Sequence, residues 1–122
     1  NGATWALPGN HLTGRARKRG DVVIEVCPYS PGSVSTIVID VREDYEYQHC
    51  NTGFTHIPMG EISMRHDEIN SSKDVVIMCQ SGRRAEAVVN LLETEFHFPQ
   101  VFVMEGGILG WIEHVDPSLK LD

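Results

Sequence analysis

The segment most able to do chemistry runs from Cys79 to Arg84, where an apolar stretch ends in a cysteine followed by Gln-Ser-Gly-Arg-Arg. Apolar residues at helical spacing begin directly after it. This pattern predicts a loop between a buried strand and a helix, in which Gly82 supplies the backbone freedom for a tight curl. Such a curl points successive N–H groups inward, and the positive end of the helix dipole adds to them. The segment is therefore predicted to bind an anion.

A cysteine at the edge of that anion site would have its thiolate form stabilised by the backbone amides and by Arg83 and Arg84. A thiolate that faces an anion site is a nucleophile aimed at an anionic substrate. The alternative is that Cys79 is a small hydrophobic side chain at the end of a buried strand, with both arginines on a solvated helix face. Because cations in the first turn of a helix oppose its dipole, the two arginines favour the catalytic interpretation.

The elements that must position this loop alternate between strands and helices. Strands are predicted from apolar runs at residues 22–26, 36–41, 74–79 and 101–104. A first helix is predicted to begin at the acids Glu43, Asp44 and Glu46. Further helices are predicted weakly over 60–70, along the apolar stripe from Ala85 to Phe96, and within 105–115. This alternation predicts an α/β domain of three layers, with a mostly parallel central sheet covered by helices on both faces. Ligands of such sheets bind at the carboxyl ends of the strands, where Cys79 stands.

Charge and composition restrict what the chain can do. Its 122 residues suit one domain, and its net charge of −7 argues against nucleic-acid binding. Residues 1–20 carry four basic residues and no acid, and we interpret them as a flexible tail, native or introduced, ahead of a single domain at 21–122. No apolar run approaches the length of a membrane span, so no membrane association is predicted.

The three cysteines, Cys27, Cys50 and Cys79, do not predict a closed disulfide framework, because their number is odd and their spacing is wide. No C-x-x-C pair and no histidine pair with metal-ligand spacing is present, so no metal site is predicted. A reducing compartment, the cytoplasm, is the simplest expectation. Cys50 is either a resolving thiol for Cys79 or a bystander in its loop, and we favour the bystander, while Cys27 is interpreted as a packing residue.

Four segments of the sequence together resemble one known family. The segment "CQSGRRA" resembles the active-site loop of rhodanese-fold sulfurtransferases, which has the form C-x-x-G-x-R. The segments "IVIDVREDYEY", "HIPMGEI" and "VFVMEGGILGWIEHVDPSL" resemble the family's "IDVRE" strand end, its "HIP-G" segment and its closing strand, glycine turn and tryptophan helix. The resemblance covers residues 36–119 in consistent order and identifies the chain as a single-domain rhodanese-like sulfurtransferase.

The resemblance implies roles for particular residues. Cys79 matches the sulfur-accepting cysteine, and the loop that holds thiosulfate or the persulfide matches Gln80, Ser81, Gly82, Arg83 and Arg84. The pair Asp40 and Arg42 matches residues that brace the loop and sheet, and structural positions match Gly106, Gly107 and Trp111. The implied partners are a small anionic sulfur donor such as thiosulfate and a thiol or protein acceptor, and no metal or organic cofactor is implied.

Cysteine phosphatases share this fold, and the length of the loop separates them from sulfurtransferases. Their loops follow C-x5-R, whereas the sixth residue after Cys79 is Ala85 and Arg84 closes the shorter C-x4-R loop. A phosphatase or arsenate reductase is therefore not expected. Two departures from the sulfurtransferase pattern are that Ala85 replaces a frequent Ser or Thr, and that residues 1–35 lack the family's amphipathic first helix.

Three functions remain open at the level of sequence. The first is sulfur transfer from thiosulfate or a persulfide donor, through a Cys79 persulfide, to cyanide, a thiol or a protein. The second is a sulfur-relay or binding module that depends on a partner protein and turns over thiosulfate weakly. The third, a regulatory domain without turnover, is disfavoured because Cys79, Gly82 and Arg84 are all present.

Overall fold

The computed structural model describes residues 14–18, 20–26, 36–115 and 119. Its strands are β1 (Gly14–Lys18), β2 (Val22–Val26), β3 (Thr36–Asp40), β4 (Thr55–His56), β5 (Asp74–Met78) and β6 (Val101–Met104). Its helices are α1 (Asp44–His49), α2 (Ile62–Arg65), α3 (Arg83–Glu95) and α4 (Gly107–His114), and 3-10 turns at Met59–Glu61 and His66–Glu68 flank α2.

The strands of the described residues form one sheet in the order β2-β1-β6-β5-β3-β4. Its neighbours from β6 to β4 pair in parallel, and β1 pairs antiparallel with both β2 and β6. The prediction of a mostly parallel α/β sheet is confirmed. The carboxyl ends of β3, β5 and β6 therefore meet at one edge, where a loop after β5 can be surrounded on several sides.

Helices cover both faces of this sheet, as the central strand β5 requires, because four of its five residues are buried. Alternate side chains of a strand point to opposite faces. Val75 and Ile77 pack with residues of α3 in one hydrophobic cluster, which also contains Cys79. Val76 and Met78 pack with residues of α4 in a second cluster. The three-layer arrangement is thus confirmed, and the strand alternation directs Cys79 toward the face that α3 covers.

Strand β1 lies in the stretch that the sequence analysis assigned to a tail. Gly14 and Ala16 are buried and alternate with the exposed Arg15 and Arg17, and a turn at 20–21 connects β1 to β2. The two small residues give a weak apolar signal, so the basic residues between them hid the alternation. Residues 1–13 lie outside the described residues, as do Cys27, the turn predicted at 28–33 and the Asp-Pro pair predicted to close the last helix.

None of the helices in the described ranges combines the length and the hydropathy needed to cross a lipid bilayer.

Candidate active site

Cys79 directly follows β5, and its Sγ atom points into the first turn of α3. Sγ accepts hydrogen bonds from the backbone N–H of Gly82, at 3.0 Å, and from that of Ala85, at 3.3 Å. Only 1% of the residue is exposed. Two N–H donors and the amino end of a 13-residue helix stabilise negative charge on this sulfur atom. The geometry therefore surrounds Sγ with groups that can stabilise a negative charge.

The loop from Gln80 to Gly82 brings those N–H groups onto the sulfur. Gly82 is the residue that precedes α3, and its φ of +115° lies in the region that favours glycine. A Cβ atom added to Gly82 would meet no atom within 4 Å, so the requirement for glycine here is conformational rather than steric. Gln80 and Ser81 are exposed at the surface of the loop.

Helix α4 supports the Cys79 loop by donating hydrogen bonds to it from two backbone N–H groups. The backbone N–H of Ile108 donates to the carbonyl oxygen of Cys79 at 2.8 Å, and that of Leu109 donates to the carbonyl oxygen of Gln80 at 3.1 Å. A Cβ atom on Gly107 would lie 2.4 Å from the Cys79 oxygen. Gly107 therefore permits α4 to approach the loop closely enough to form the hydrogen bonds that hold Cys79 in position.

Replacing Gly107 by alanine is expected to lower the free energy of unfolding by about 2–3 kcal/mol, through the carbonyl clash and the strain of its φ of +58°. Urea unfolding followed by circular dichroism measures this loss. The matched control is Gly53→Ala, where φ is +85° but no atom lies within 4 Å of the added Cβ. The control should lose about 1 kcal/mol. Equal losses in the two variants would contradict the role assigned to the close approach.

The two arginines of the loop have different environments. Arg84 forms two hydrogen bonds with the carboxylate of Glu46, at 2.7 and 3.0 Å, and Arg83 is exposed. The hydrogen bonds to Glu46 raise the pKa of Arg84, and the nearby Cys79 raises it further. Hydrogen bonds from Arg84 in turn lower the pKa of Glu46. Arg84 is thus held in place by an acid, whereas the guanidinium of Arg83 is at the surface.

Asp40 and Arg42 form a buried ion pair at the carboxyl end of β3. Nη2 of Arg42 lies 2.9 Å from Oδ2 of Asp40, and both side chains are at most 2% exposed. Arg42 also donates to the carbonyl oxygens of Glu46, at 3.3 Å, and Cys50, at 2.6 Å. The pair therefore holds the last turn of α1, and α1 presents the Glu46 carboxylate to Arg84. This geometry is consistent with a supporting role for both residues.

The match to known proteins covers the whole of this site. The model of the rhodanese-like domain family matches residues 30–114, which include the ion pair after β3, the Cys79 loop and α4. The chain belongs to the rhodanese-like domain family.

Two relatives of this rhodanese-like domain are named for sulfur chemistry. YrkF of Bacillus subtilis, a candidate sulfur carrier protein, is 30% identical over 105 residues, which are 84% of this chain and 56% of YrkF. The chain thus spans little more than half of YrkF. A sulfurtransferase of Allochromatium vinosum is 32% identical over 80 residues, or 64% of this chain and 73% of that protein. The crystal structure of a rhodanese-related protein from Thermoplasma volcanium, 25% identical, superposes with a TM-score of 0.61 over 79% of this chain and 93% of that one.

Sequence reasoning missed Glu46 as a member of the site. From sequence, the acids of α1 are interpreted only as favourable partners of the helix dipole. In the structure, Glu46 also accepts a hydrogen bond from the backbone N–H of Glu43 at 2.9 Å. The signal that could have found it is weak, because 38 residues separate Glu46 from Arg84. An arginine in the first turn of α3, where the dipole disfavours it, was the available indication of an acidic partner.

Replacing Glu46 by glutamine should lower the free energy of unfolding by about 0.5–1 kcal/mol at about pH 7, since the pair is partly exposed. Because the pKa of Glu46 is lowered in the folded state, its contribution is present above the ordinary carboxyl pKa. It is lost as the pH falls through the lowered value. The free energies of unfolding of the parent and the variant, measured in urea, should therefore converge as the pH falls through that lowered value. If the difference in the free energy of unfolding between parent and variant did not change at low pH, the pairing would be contradicted. The same difference for the exposed Glu95→Gln would also contradict it.

Cys50 lies on the other side of the sheet from the loop cysteine. It belongs to the hydrophobic cluster beside α4, whereas Cys79 belongs to the cluster beside α3. Both are buried free thiols. This placement supports the interpretation of Cys50 as a bystander. Across the described ranges, no group of three or more His, Cys, Asp or Glu side chains is arranged to hold a metal ion.

Proposed function

We propose that this rhodanese-like domain is a sulfurtransferase that carries sulfane sulfur on Cys79. The observation that supports the proposal most directly is the pair of backbone N–H groups, from Gly82 and Ala85, that donate to Sγ of Cys79. They would stabilise the attacking thiolate and the persulfide that follows. The relatives named as sulfur carrier and sulfurtransferase support the same chemistry. A reducing compartment such as the cytoplasm would keep thiol acceptors available.

The first step loads sulfur from a small anionic donor, for which thiosulfate is the proposed example. The Cys79 thiolate attacks the outer sulfur atom of thiosulfate, and a bond forms between that atom and Sγ. The sulfur–sulfur bond of thiosulfate breaks, and sulfite leaves with the bonding electron pair. The loop of Gln80, Ser81, Gly82 and Arg83 would bind the donor's oxygen atoms, because its exposed cation and its backbone N–H groups complement an anion.

The second step returns Cys79 to its starting form. A nucleophilic acceptor such as cyanide attacks the outer sulfur atom of the persulfide and forms a bond to it. The bond between that atom and Sγ breaks, and the electron pair returns to Cys79 as a thiolate. Cyanide would leave as thiocyanate, and a thiol would leave as a persulfide. A covalent relay of this kind gives ping-pong kinetics.

A sulfur-relay module that depends on a protein donor is the second candidate. The name of YrkF, a candidate sulfur carrier, favours it. The two candidates differ in their donors, because a relay loads slowly from thiosulfate and rapidly from its partner's persulfide. The ratio of the two loading rates would separate them.

Peptide mapping after brief thiosulfate treatment tests the proposal. We expect one added sulfur atom on the peptide that contains Cys79, and we expect cyanide to remove it. No added sulfur from thiosulfate would exclude the thiosulfate sulfurtransferase. Sulfur on the peptides that contain Cys27 or Cys50 instead would exclude the assignment of the carrier residue.

A further inference from the structure

Strand β2 forms one end of the sheet, and its outer edge is long and regular. All five of its residues, Val22–Val26, pair in continuous antiparallel register with β1. Within the described ranges, no strand other than β1 pairs with β2. The strand at the opposite end of the sheet, β4, has only two residues. Short edge strands resist further pairing, whereas the outer N–H and C=O groups of β2 are a template for another strand.

The sequence of β2 lacks the features that protect the edges of natural sheets. Such edges carry lysine, proline or a bulge. β2 reads Val-Val-Ile-Glu-Val, so four of its residues are β-branched and Glu25 is its single charge. Val22 and Val23 are 45% and 41% exposed, although both are apolar. The composition of β2 therefore favours pairing with a further strand.

One face of β2 presents a row of apolar side chains that extends the hydrophobic core. Val22, Ile24 and Val26 alternate onto the face of the sheet that α4 covers. Val26 is buried in the cluster beside α4, and Ile24 packs against that cluster while it stays partly exposed. A strand with apolar residues at matching positions would cover Ile24 and Val22 and continue the cluster across the edge.

β2 is itself such a strand when it runs antiparallel to β2 of a second copy. A two-fold axis perpendicular to the sheet keeps the α4 faces of both copies on one side. With this axis at Ile24, the two Ile24 side chains are opposite each other, Val22 is opposite Val26, and Val23 is opposite Glu25. A shift of the axis to Val23 would place Asp21 opposite Glu25, and a shift to Glu25 would place two glutamates opposite each other. Since like charges opposite each other are unfavourable, the register at Ile24 is selected, and it pairs all five residues.

The charge of the β1–β2 hairpin also permits two copies to meet at this edge. The chain has a net charge of −7, which opposes self-association in general. Residues 14–26, by contrast, contain four basic and two acidic residues. Of the basic residues, Arg17 is already bound to Asp21 at 3.3 Å and to Glu105 at 2.7 Å. The excess of negative charge therefore lies outside the hairpin and is screened from the contact by distance and salt.

We propose that β2 is a dimerisation edge that pairs antiparallel with β2 of a second copy, with Ile24 at the two-fold axis. The pairing continues the sheet from one protomer into the other. Five strand residues from each copy form a small interface, so the dimer is weak and reversible. Because β1 and β6 lie between β2 and β5, the Cys79 loop of each protomer lies outside the contact. The inference is independent of the sulfur chemistry proposed above.

Sedimentation velocity of the full chain between about 10 µM and 1 mM tests the pairing, and we expect a reversible monomer–dimer equilibrium. Val23→Glu places a carboxylate opposite Glu25 twice in each dimer and should raise the dissociation constant about tenfold. Val23→Lys places an ammonium group there and should keep the constant within about threefold of the parent's. Adding Glu25→Gln to Val23→Glu should restore most of the affinity. Met64→Glu, which changes an exposed apolar residue of α2, is the matched control and should not alter the constant.

Hydrogen exchange measures the same contact in the unmodified chain. Exchange of the β2 amides should slow as the protein concentration rises through this range, while the amides of α3 keep their rates. Protection of β2 that does not depend on concentration would show that another segment of the same chain covers the edge, and it would overturn the inference. A chain that stays monomeric up to about 1 mM, or equal weakening by Val23→Glu and Val23→Lys, would overturn it as well.

Discussion

Replacing Cys79 by serine is expected to lower thiosulfate-to-cyanide turnover by at least about a thousandfold, without loss of the fold. The substitution keeps the size of the side chain and keeps an acceptor for the N–H groups of Gly82 and Ala85. A serine hydroxyl is not ionised near neutral pH, and it cannot form the persulfide. The release of thiocyanate measures the loss, and circular dichroism with urea unfolding shows that the variant is folded.

The matched control for this prediction is Cys50→Ser. Cys50 is also a buried free thiol, but it packs in the hydrophobic cluster on the opposite face of the sheet. Its variant should keep turnover within about twofold, because no step of the proposed mechanism uses its sulfur. Loss of turnover in the folded Cys50→Ser variant would identify a second sulfur carrier. Turnover in the folded Cys79→Ser variant that is close to the parent's would exclude Cys79 as the necessary nucleophile.

The parts of the fold that sequence predicted are those with a local signal. The apolar run before Cys79 had the length of a buried strand, and β5 covers Asp74–Met78. The stripe from Ala85 onward had the period of a helix, and α3 begins at Arg83. Gly82, between the strand and the helix, has the backbone freedom that a tight connection needs. Strand, glycine and helix together place the cysteine at the amino end of α3, so the position of Cys79 followed from one continuous segment.

The parts that sequence did not predict depend on contacts between distant segments. β1 gains its place by pairing with β2 and β6, although its own residues show little apolar signal. The bond between Glu46 and Arg84 joins α1 to α3, and either residue alone looks like a solvated charge. Gly107 was matched to a structural position by family resemblance. The reason for glycine there, the carbonyl oxygen of Cys79 beneath it, exists only in the folded chain.

Replacing Asp40 by asparagine is expected to lower the free energy of unfolding by about 3–5 kcal/mol, the largest stability loss predicted for this domain. Arg42 donates to both carboxylate oxygens of Asp40, from its backbone N–H, Nε and Nη2. Asparagine has the same shape but offers one acceptor, and its amide group would face the donors of Arg42. The guanidinium, at 2% exposure, would keep its charge without a counter-charge. Removing one partner of a buried pair therefore costs far more than the pair contributes.

The consequence should reach the candidate active site, because Arg42 also holds the carbonyl oxygens of Glu46 and Cys50 at the end of α1. A displaced Arg42 frees α1 and with it the carboxylate that positions Arg84. Urea unfolding of Asp40→Asn measures the stability loss, and thiosulfate loading at low temperature measures the effect on the remaining folded protein. Glu68→Gln, which removes an exposed partner of Arg65, is the control and should cost less than about 1 kcal/mol. Similar losses of unfolding free energy in the two variants would show that breaking the buried Asp40–Arg42 pair costs no more than breaking an exposed pair.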